Sequence, residues 1–248
     1  MAEAYRKELL DADCKVKGFR EKHKETGSVC REFPTAYVLP LYYGLLEGTD
    51  RKKAAGNLVR LVRENGHHVA TGFPGTPYIL FALMDNGYAE DAYKMLLTDT
   101  CPSWLYEMKV GGTTVWERWD ALREDGTCNT GDGAGMVSFN HYAAGSVGNF
   151  LYRRTLGIEP LEGGYRRFRI APKPGGGLTH ASGHTECAYG RISVSWEISA
   201  DGTFTLAADI PMSTQAEIEL PDGTAAKAGS GKHVYSCKAA MDQEVDAQ

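Results

Sequence analysis

The sequence predicts an α+β chain of two parts: helical hairpins, then a small antiparallel β-sandwich. Three observations carry this. Apolar residues recur at helical spacing up to Gly157, and the period falls to two from about residue 160. Asp201-Gly202 and Asp222-Gly223 then punctuate alternating runs as hairpin turns do. The expected division is residues 1–157 helical, 158–240 β, and 241–248 a solvated tail.

A charged first helix is expected from about Ala2 to Lys22. A second is "TAYVLPLYYGLL", with Val38, Leu39, Tyr42, Tyr43 and Leu46 in phase, Thr35 placed to cap it and Gly48 to stop it. A third follows Asp50 on a stripe of Leu58, Leu61 and Val62 and stops at Gly66. A fourth follows Pro77 with Ile79, Leu80, Leu83 and Met84, and Asn86-Gly87 turns it into a fifth, "AEDAYKMLL". A sixth spans roughly Asn140 to Leu156, with Gly157 as its C′ glycine. Short turns between helices predict antiparallel neighbours. Beyond Gly157, "RISVSWEIS" and "TFTLAADI" alternate apolar and polar residues, and "RRFRIA" and "AEIEL" are shorter versions. "PKPGGG" is a loop among them.

Composition excludes several functions. Net charge is −5, without the basic footprint of a nucleic-acid binder. No run of some 18 apolar residues exists, so no membrane span is expected. The charged N-terminal stretch lacks the apolar centre of a signal peptide. The six cysteines, Cys14, Cys30, Cys101, Cys128, Cys187 and Cys237, form no CxxC pair and read as free thiols. That favours a reducing compartment, and a cytoplasmic location if the N-terminus is genuine. No metal or cofactor site is expected. His180 and His184 lie in a Gly/Ser/Thr-rich β region, "GDGAG" has no preceding strand, and no GxSxG is present.

The loops of the helical half are long, glycine-rich and aromatic, as binding loops often are. They hold Phe73, Trp104, Tyr106, Trp116, Trp119 and Phe139. In "KVGGTTVWERWDAL", Lys109 to Leu122, Glu117 stands beside Trp116 and two residues before Trp119. Flat rings near carboxylates suit a sugar, whose C–H face packs on the ring while its hydroxyls bond acids, amides and histidine. The competing reading makes these rings core filling and Glu117 a structural acid paired with Arg118 or Arg153. Asp99, Glu107, Asp120, Glu124, Asp125 and Asp132 lie in or near the same loops, and the sequence singles out none of them as an acid.

Five stretches, in order, carry a resemblance: "TAYVLPLYYGLL", "TGFPGTPYILFALMDNGYAEDAYKMLL", "PSWLYEMKVGGTTVWERWD", "SFNHYAAGSVGNFLYR" and "FRIAPKPGGGLTHASG…YGRISVSW". Together the chain resembles the C-terminal part of bacterial α-L-rhamnosidases of glycoside hydrolase family 78, over most of residues 35 to 200. The resemblance implies part of an (α/α)6 barrel followed by a β-sandwich, and an inverting glycosidase acting on α-L-rhamnosides. In that mechanism one carboxylic acid protonates the leaving oxygen while a carboxylate on the other face activates water. The family's pattern makes Glu117 the general base and gives His141 the sugar hydroxyls. The aromatic loops themselves offer Trp116, Trp104 and Phe73 as pocket walls.

A complete (α/α)6 barrel has twelve helices, and the sequence signals six or seven. The resemblance places the general acid in the preceding half of the barrel. The chain is therefore expected to be inactive and poorly soluble alone, unless it pairs with the missing N-terminal half or a second copy. The expected ligand is a rhamnose-containing glycoside, with no nucleic acid or membrane partner. Two alternatives stand beside this reading: another inverting exo-glycosidase on the same barrel, and a non-catalytic sugar-binding or structural module.

Overall fold

A computed structural model describes residues 2–17, 32–129 and 137–238 of the chain. Cys30, the "GDGAG" stretch with Asp132, and the C-terminal tail lie outside the described residues. The chain divides into two compact units, Met1–Val147 and Gly148–Gln248, upstream of the glycine at which the sequence period changes.

The first unit is helical. The first helix, α1 (Ala2–Leu9), is much shorter than its sequence suggests. The Asp11 carboxylate accepts the N–H groups of Asp13 and Lys15, both at 2.9 Å, and turns the chain where a helix would continue. The next, α2 (Thr35–Tyr42), carries Pro40 inside it. Proline cannot donate to the Ala36 carbonyl one turn back. The Tyr5 hydroxyl donates to that carbonyl instead, at 3.2 Å. Thr35 is the first helical residue rather than the cap, and it makes no capping bond. The left-handed turn at Gly44 ends α2, whereas Gly48 opens α3 (Gly48–Glu64).

Helix α3 buries Ala54, Ala55, Leu58, Val59 and Val62 against α2 and α4 (Ile79–Met84). Helix α4 buries Ile79 through Leu83 without a polar face, as a helix packed on all sides must. Helix α5 (Ala89–Leu97) packs on α4 as its hairpin partner. Buried Asp91 of α5 takes a two-pronged ion pair from Arg63 of α3, both contacts at 2.8 Å, and a third contact from His67 at 2.9 Å. The Arg63 and His67 bonds offset the burial of Asp91 and hold its carboxyl below the usual range.

A sixth helix, α6 (Trp104–Lys109), lies where the sequence shows only a loop. The single helix expected from Asn140 to Leu156 is broken into α7 (Tyr142–Gly145), α8 (Val147–Phe150) and a π-helical turn, Leu151–Thr155. Gly145, Ser146 and Gly148 weaken the run, and the Ser146 hydroxyl bonds back to the Ala143 carbonyl at 2.6 Å. The described helices form hairpins and do not close a barrel.

The second unit holds two four-stranded sheets around one core. One sheet has the order β1 (Ile158–Pro160), β2 (Arg167–Ile170), β6 (Gln215–Glu219), β7 (Ala225–Ala228). The other has β3 (His180–Cys187), β4 (Gly190–Ile198), β5 (Thr203–Ile210), β8 (Gly231–Lys238). All pairings are antiparallel except β2 with β6, which run parallel. Ile192, Val194 and Trp196 face Phe204, Leu206, Phe168 and Ile218 in the core, as the alternation predicts. The Trp196 indole N–H donates to the Thr155 carbonyl at 2.8 Å, so this buried ring keeps its polar edge satisfied.

Candidate active site

Helix α6 is the foundation of the site. The Ser103 hydroxyl caps it by accepting the Tyr106 N–H, at 3.2 Å. Trp104 and Glu107, three residues apart on one face, are both buried. The Trp104 indole N–H donates to the Ala144 carbonyl at 3.0 Å, and its ring meets Trp119 edge-on at 5.3 Å.

After α6 the chain reverses tightly. Gly111 takes a left-handed φ of 91°, and the Gly112 N–H donates to the Glu107 carbonyl at 2.7 Å. A Cβ on Gly112 would lie 2.6 Å from the Trp116 ring and 2.7 Å from the Glu107 carbonyl, so only glycine fits. The Trp116 ring is thus seated on the reversal and is 2% exposed. The Glu107 carboxylate, also 2% exposed, accepts the Trp116 N–H at 3.2 Å through Oε2. Its Oε1 is buried with no hydrogen-bond partner among the described residues. Burial pushes the Glu107 carboxyl up to about 7, and the Trp116 N–H lowers it only in part.

Residues 114–117 then run beside 138–141. The Glu117 N–H donates to the Ser138 carbonyl at 2.9 Å, and the His141 N–H to the Val115 carbonyl at 2.8 Å. The Thr114 hydroxyl bonds the Phe139 carbonyl. The Glu117 side chain is folded onto this ladder, with Oε2 accepting the Ser138 N–H at 2.9 Å. The "TTVWERW" and "SFNHYA" stretches, some twenty residues apart, therefore form one backbone-paired unit.

Glu117 has no ion pair among the described residues. Arg118 instead grips Asp120 with two contacts at 3.0 Å, and Asn129 adds a third at 2.7 Å. Arg118 foremost holds the Asp120 carboxyl below the usual range. Arg153 pairs with Glu159. Among the described residues, neither Arg118 nor Arg153 is paired with Glu117. Asp99 is engaged by Lys109 at 3.0 Å, and Asp125 by the Thr127 hydroxyl and N–H.

The aromatic residues separate into two groups. Trp104 and Trp116 are buried and shape the site from beneath. Phe73 is 49% exposed, on a turn fixed by the Thr76 hydroxyl bonding the carbonyls of Thr71 and Gly72. Its ring stacks on His141, with centroids 4.4 Å apart, and Tyr142, 84% exposed, stacks on the imidazole with centroids 5.7 Å apart. The His141 Nδ1 is buried and finds no partner among the described residues. Phe139 completes the set, edge-on to Trp116 at 5.5 Å. Sequence reasoning gave no role to Ser138 or Glu107. The Trp104–Glu107 spacing behind a Ser103 cap was the signal available for Glu107. Among the described residues no group of three or more metal-ligating side chains converges, and no helix is long and apolar enough to cross a membrane.

Helical hairpins bearing a carboxylate among aromatic loops, followed by an antiparallel-rich β unit, are the architecture of a six-hairpin glycosidase. Residues 2–155 match the bacterial α-L-rhamnosidase six-hairpin glycosidase domain, and residues 157–235 the bacterial α-L-rhamnosidase C-terminal domain. The chain belongs to the bacterial α-L-rhamnosidase family. It is 42% identical over 195 residues to an α-L-rhamnosidase of Streptomyces avermitilis, covering 79% of this chain and 18% of that protein. Two solved structures are similar throughout. The α-L-rhamnosidase of Aspergillus terreus has a TM-score of 0.82 at 35% identity, covering 95% of this chain and 26% of that one. The Streptomyces avermitilis enzyme, solved in complex with L-rhamnose, has a TM-score of 0.82 at 36% identity, covering 96% and 23%. The chain thus spans about a fifth to a quarter of the length of these relatives.

Proposed function

We propose that this chain carries the general-base half of an inverting α-L-rhamnosidase site. The observation that supports it most is the pairing of residues 114–117 with 138–141, which joins the Glu117 carboxylate to the segment that carries His141 and its Phe73 stack. Glu117 is the base that activates water, held toward one side by the Ser138 N–H through Oε2 while Oε1 stays available to a water molecule. His141 hydrogen-bonds sugar hydroxyls, Phe73 packs on the sugar's C–H face, and Trp116 and Trp104 act as rigid supports. The substrate is a terminal α-L-rhamnoside, and no cofactor takes part.

Inverting hydrolysis needs a second carboxyl group on the opposite face of the sugar. Asp99, Asp120 and Asp125 are each engaged in local bonds, and Glu107 is enclosed beneath Trp116. The acid is supplied by a polypeptide outside this sequence, the N-terminal half of the barrel, and the chain alone is inactive. The test is hydrolysis of a chromogenic α-L-rhamnoside by the chain alone and mixed with the N-terminal half of a related enzyme. Activity in the mixture that disappears in Glu117→Gln supports the reading. Rhamnose binding without hydrolysis in a well-formed mixture would replace it with a sugar-binding module.

A further inference from the structure

We propose that Glu107 is the positioning residue of the Glu117 site: its carboxyl fixes the Trp116 peptide N–H, and with it the direction in which the Glu117 side chain leaves the backbone. This rests on the role of Glu117 proposed above. It is a different role from acid or base, since Glu107 is too deeply enclosed to touch a sugar.

The geometry is a closed bracket. Glu107 holds the reversal at both ends: its carbonyl takes the Gly112 N–H and its side chain the Trp116 N–H. Between those two bonds the Trp116 ring lies against Gly112, leaving no room for the segment to slide. The residue after Trp116 is Glu117, whose N–H is already committed to Ser138. Trp116 thus has its own N–H and that of the next residue both pinned, one by Glu107 and one by the 138–141 segment. Glu117 is oriented by the intersection of these two constraints.

A neutral glutamine at this position would satisfy the N–H without burying a charge. A carboxylate makes the stronger bond, because charge-assisted hydrogen bonds are about twice as strong as neutral ones. With the carboxyl raised to about 7 by its burial, the grip on Trp116 strengthens as Glu107 ionises near neutral pH. Among the described residues the Cys101 thiol senses Glu107, its own range being raised mainly by burial and then by the charges of Asp120 and Glu107. Among the described residues Oε1 has no second bond to compete with the Trp116 contact.

The experiment reads backbone amides of the full chain by proton–nitrogen NMR and hydrogen exchange, without any need for hydrolysis. The Trp116 amide shift is expected to titrate with a midpoint of about 7 and to lose that titration in Glu107→Gln. Glu107→Gln is expected to keep exchange at Trp116 and Ser138 within about threefold of the parent, whereas Glu107→Leu raises both by about tenfold, the loss of one charge-assisted bond. The Ser138 amide reports the Glu117 carboxylate directly. An unchanged Trp116 titration in Glu107→Gln overturns the proposal, and this holds even if Glu107→Leu does not fold. Faster exchange at Trp116 with Ser138 unmoved in Glu107→Leu also overturns it, because the bracket then fails to reach Glu117. If Glu117 proves not to be the base, these amide results stand while activity survives Glu117→Gln, so the two failures are distinguishable.

Discussion

The turns of the β unit and the buried centre of the helical unit treat a carboxyl group in opposite ways. In the β unit, Asp201 accepts from Ser199 and Thr203 at one hairpin turn, and Asp222 accepts from the Thr224 N–H and hydroxyl at another. Both are solvent-facing and both carboxyls are held below their usual range by these bonds. In the helical unit, Glu107 is enclosed with one bond and its carboxyl is raised. The β unit spends its acids on folding. The helical unit tolerates a costly buried acid bonded to the residue before Glu117, and, among the described residues, an imidazole nitrogen with no partner on the paired segment. Departures from local rules cluster around the candidate site, as they do where function constrains a fold.

The largest effect that would sharpen this contrast is on chemistry. Glu117→Gln keeps an oxygen for the Ser138 N–H but cannot take a proton from water. In the reconstituted enzyme kcat is expected to fall by about 10²–10⁴, the usual contribution of general base catalysis. Circular dichroism should remain unchanged. A variant retaining more than a tenth of the activity would remove Glu117 from the base role.

Next in size is the response to pH. Glu107 ionises at about 7 in the folded chain against 4.5 for an unperturbed carboxyl. The folded state therefore holds the proton more tightly, and stability falls as pH rises from 4.5 towards 7, then levels off. At about 1.4 kcal/mol per pH unit, the gap corresponds to ~3 kcal/mol. The β-unit turns run the other way: the contribution of Asp201 is present at neutral pH and lost on acidification. Denaturant unfolding of the parent and Glu107→Gln between pH 4.5 and 8 checks the first limb. The parent curve should slope downward and the variant lie flat. Parallel curves would mean that Glu107 does not carry the dependence.

Much of this architecture was legible in the sequence, unevenly. Strands β4 and β5 could be read residue by residue, because one buried face against one solvated face imposes a period of two. Strand β3 could not: "HASGHTEC" alternates exposed with half-buried positions and carries no apolar face. The site was half legible. Glu117 and His141 came from the motif, and Phe73 from its loop. What escaped was the hydrogen bonding between distant backbones, the Ser138 and Trp116 N–H contacts, since backbone donors leave no mark in a sequence. Helix α1 was overextended because the competing turn at Asp11 depends on one side chain recapturing two N–H groups.

Steric comparison of two glycines sharpens the contrast further. Gly112→Ala sets its Cβ against the backbone carbonyl of Glu107 and the rigid Trp116 ring. Neither can yield without opening the bracket around Glu117, so a loss of about 1–3 kcal/mol is expected, typical of overpacking. Activity of the reconstituted enzyme should fall further than stability alone accounts for, because Trp116 and Glu117 move together. Wild-type activity at a temperature where the variant remains folded would break the link between the reversal and the site.

The smallest effect is the matching substitution in the β unit. A Cβ on Gly183 of β3 would come within 2.8 Å of the Leu156 Cδ2, nearly as close as the 2.6 Å approach at Gly112. The obstacle here is the end of a flexible side chain, and the other Leu156 atoms stand 3.9 and 4.0 Å away. Leu156 can change rotamer, so Gly183→Ala should cost under ~1 kcal/mol, partly offset by the lower entropy of alanine in the unfolded chain. Thermal unfolding of the two variants side by side reads the difference. Equal losses would show that the β core at Leu156 is as rigid as the bracket at Trp116, and that the helical unit is not set apart by how tightly its site is held.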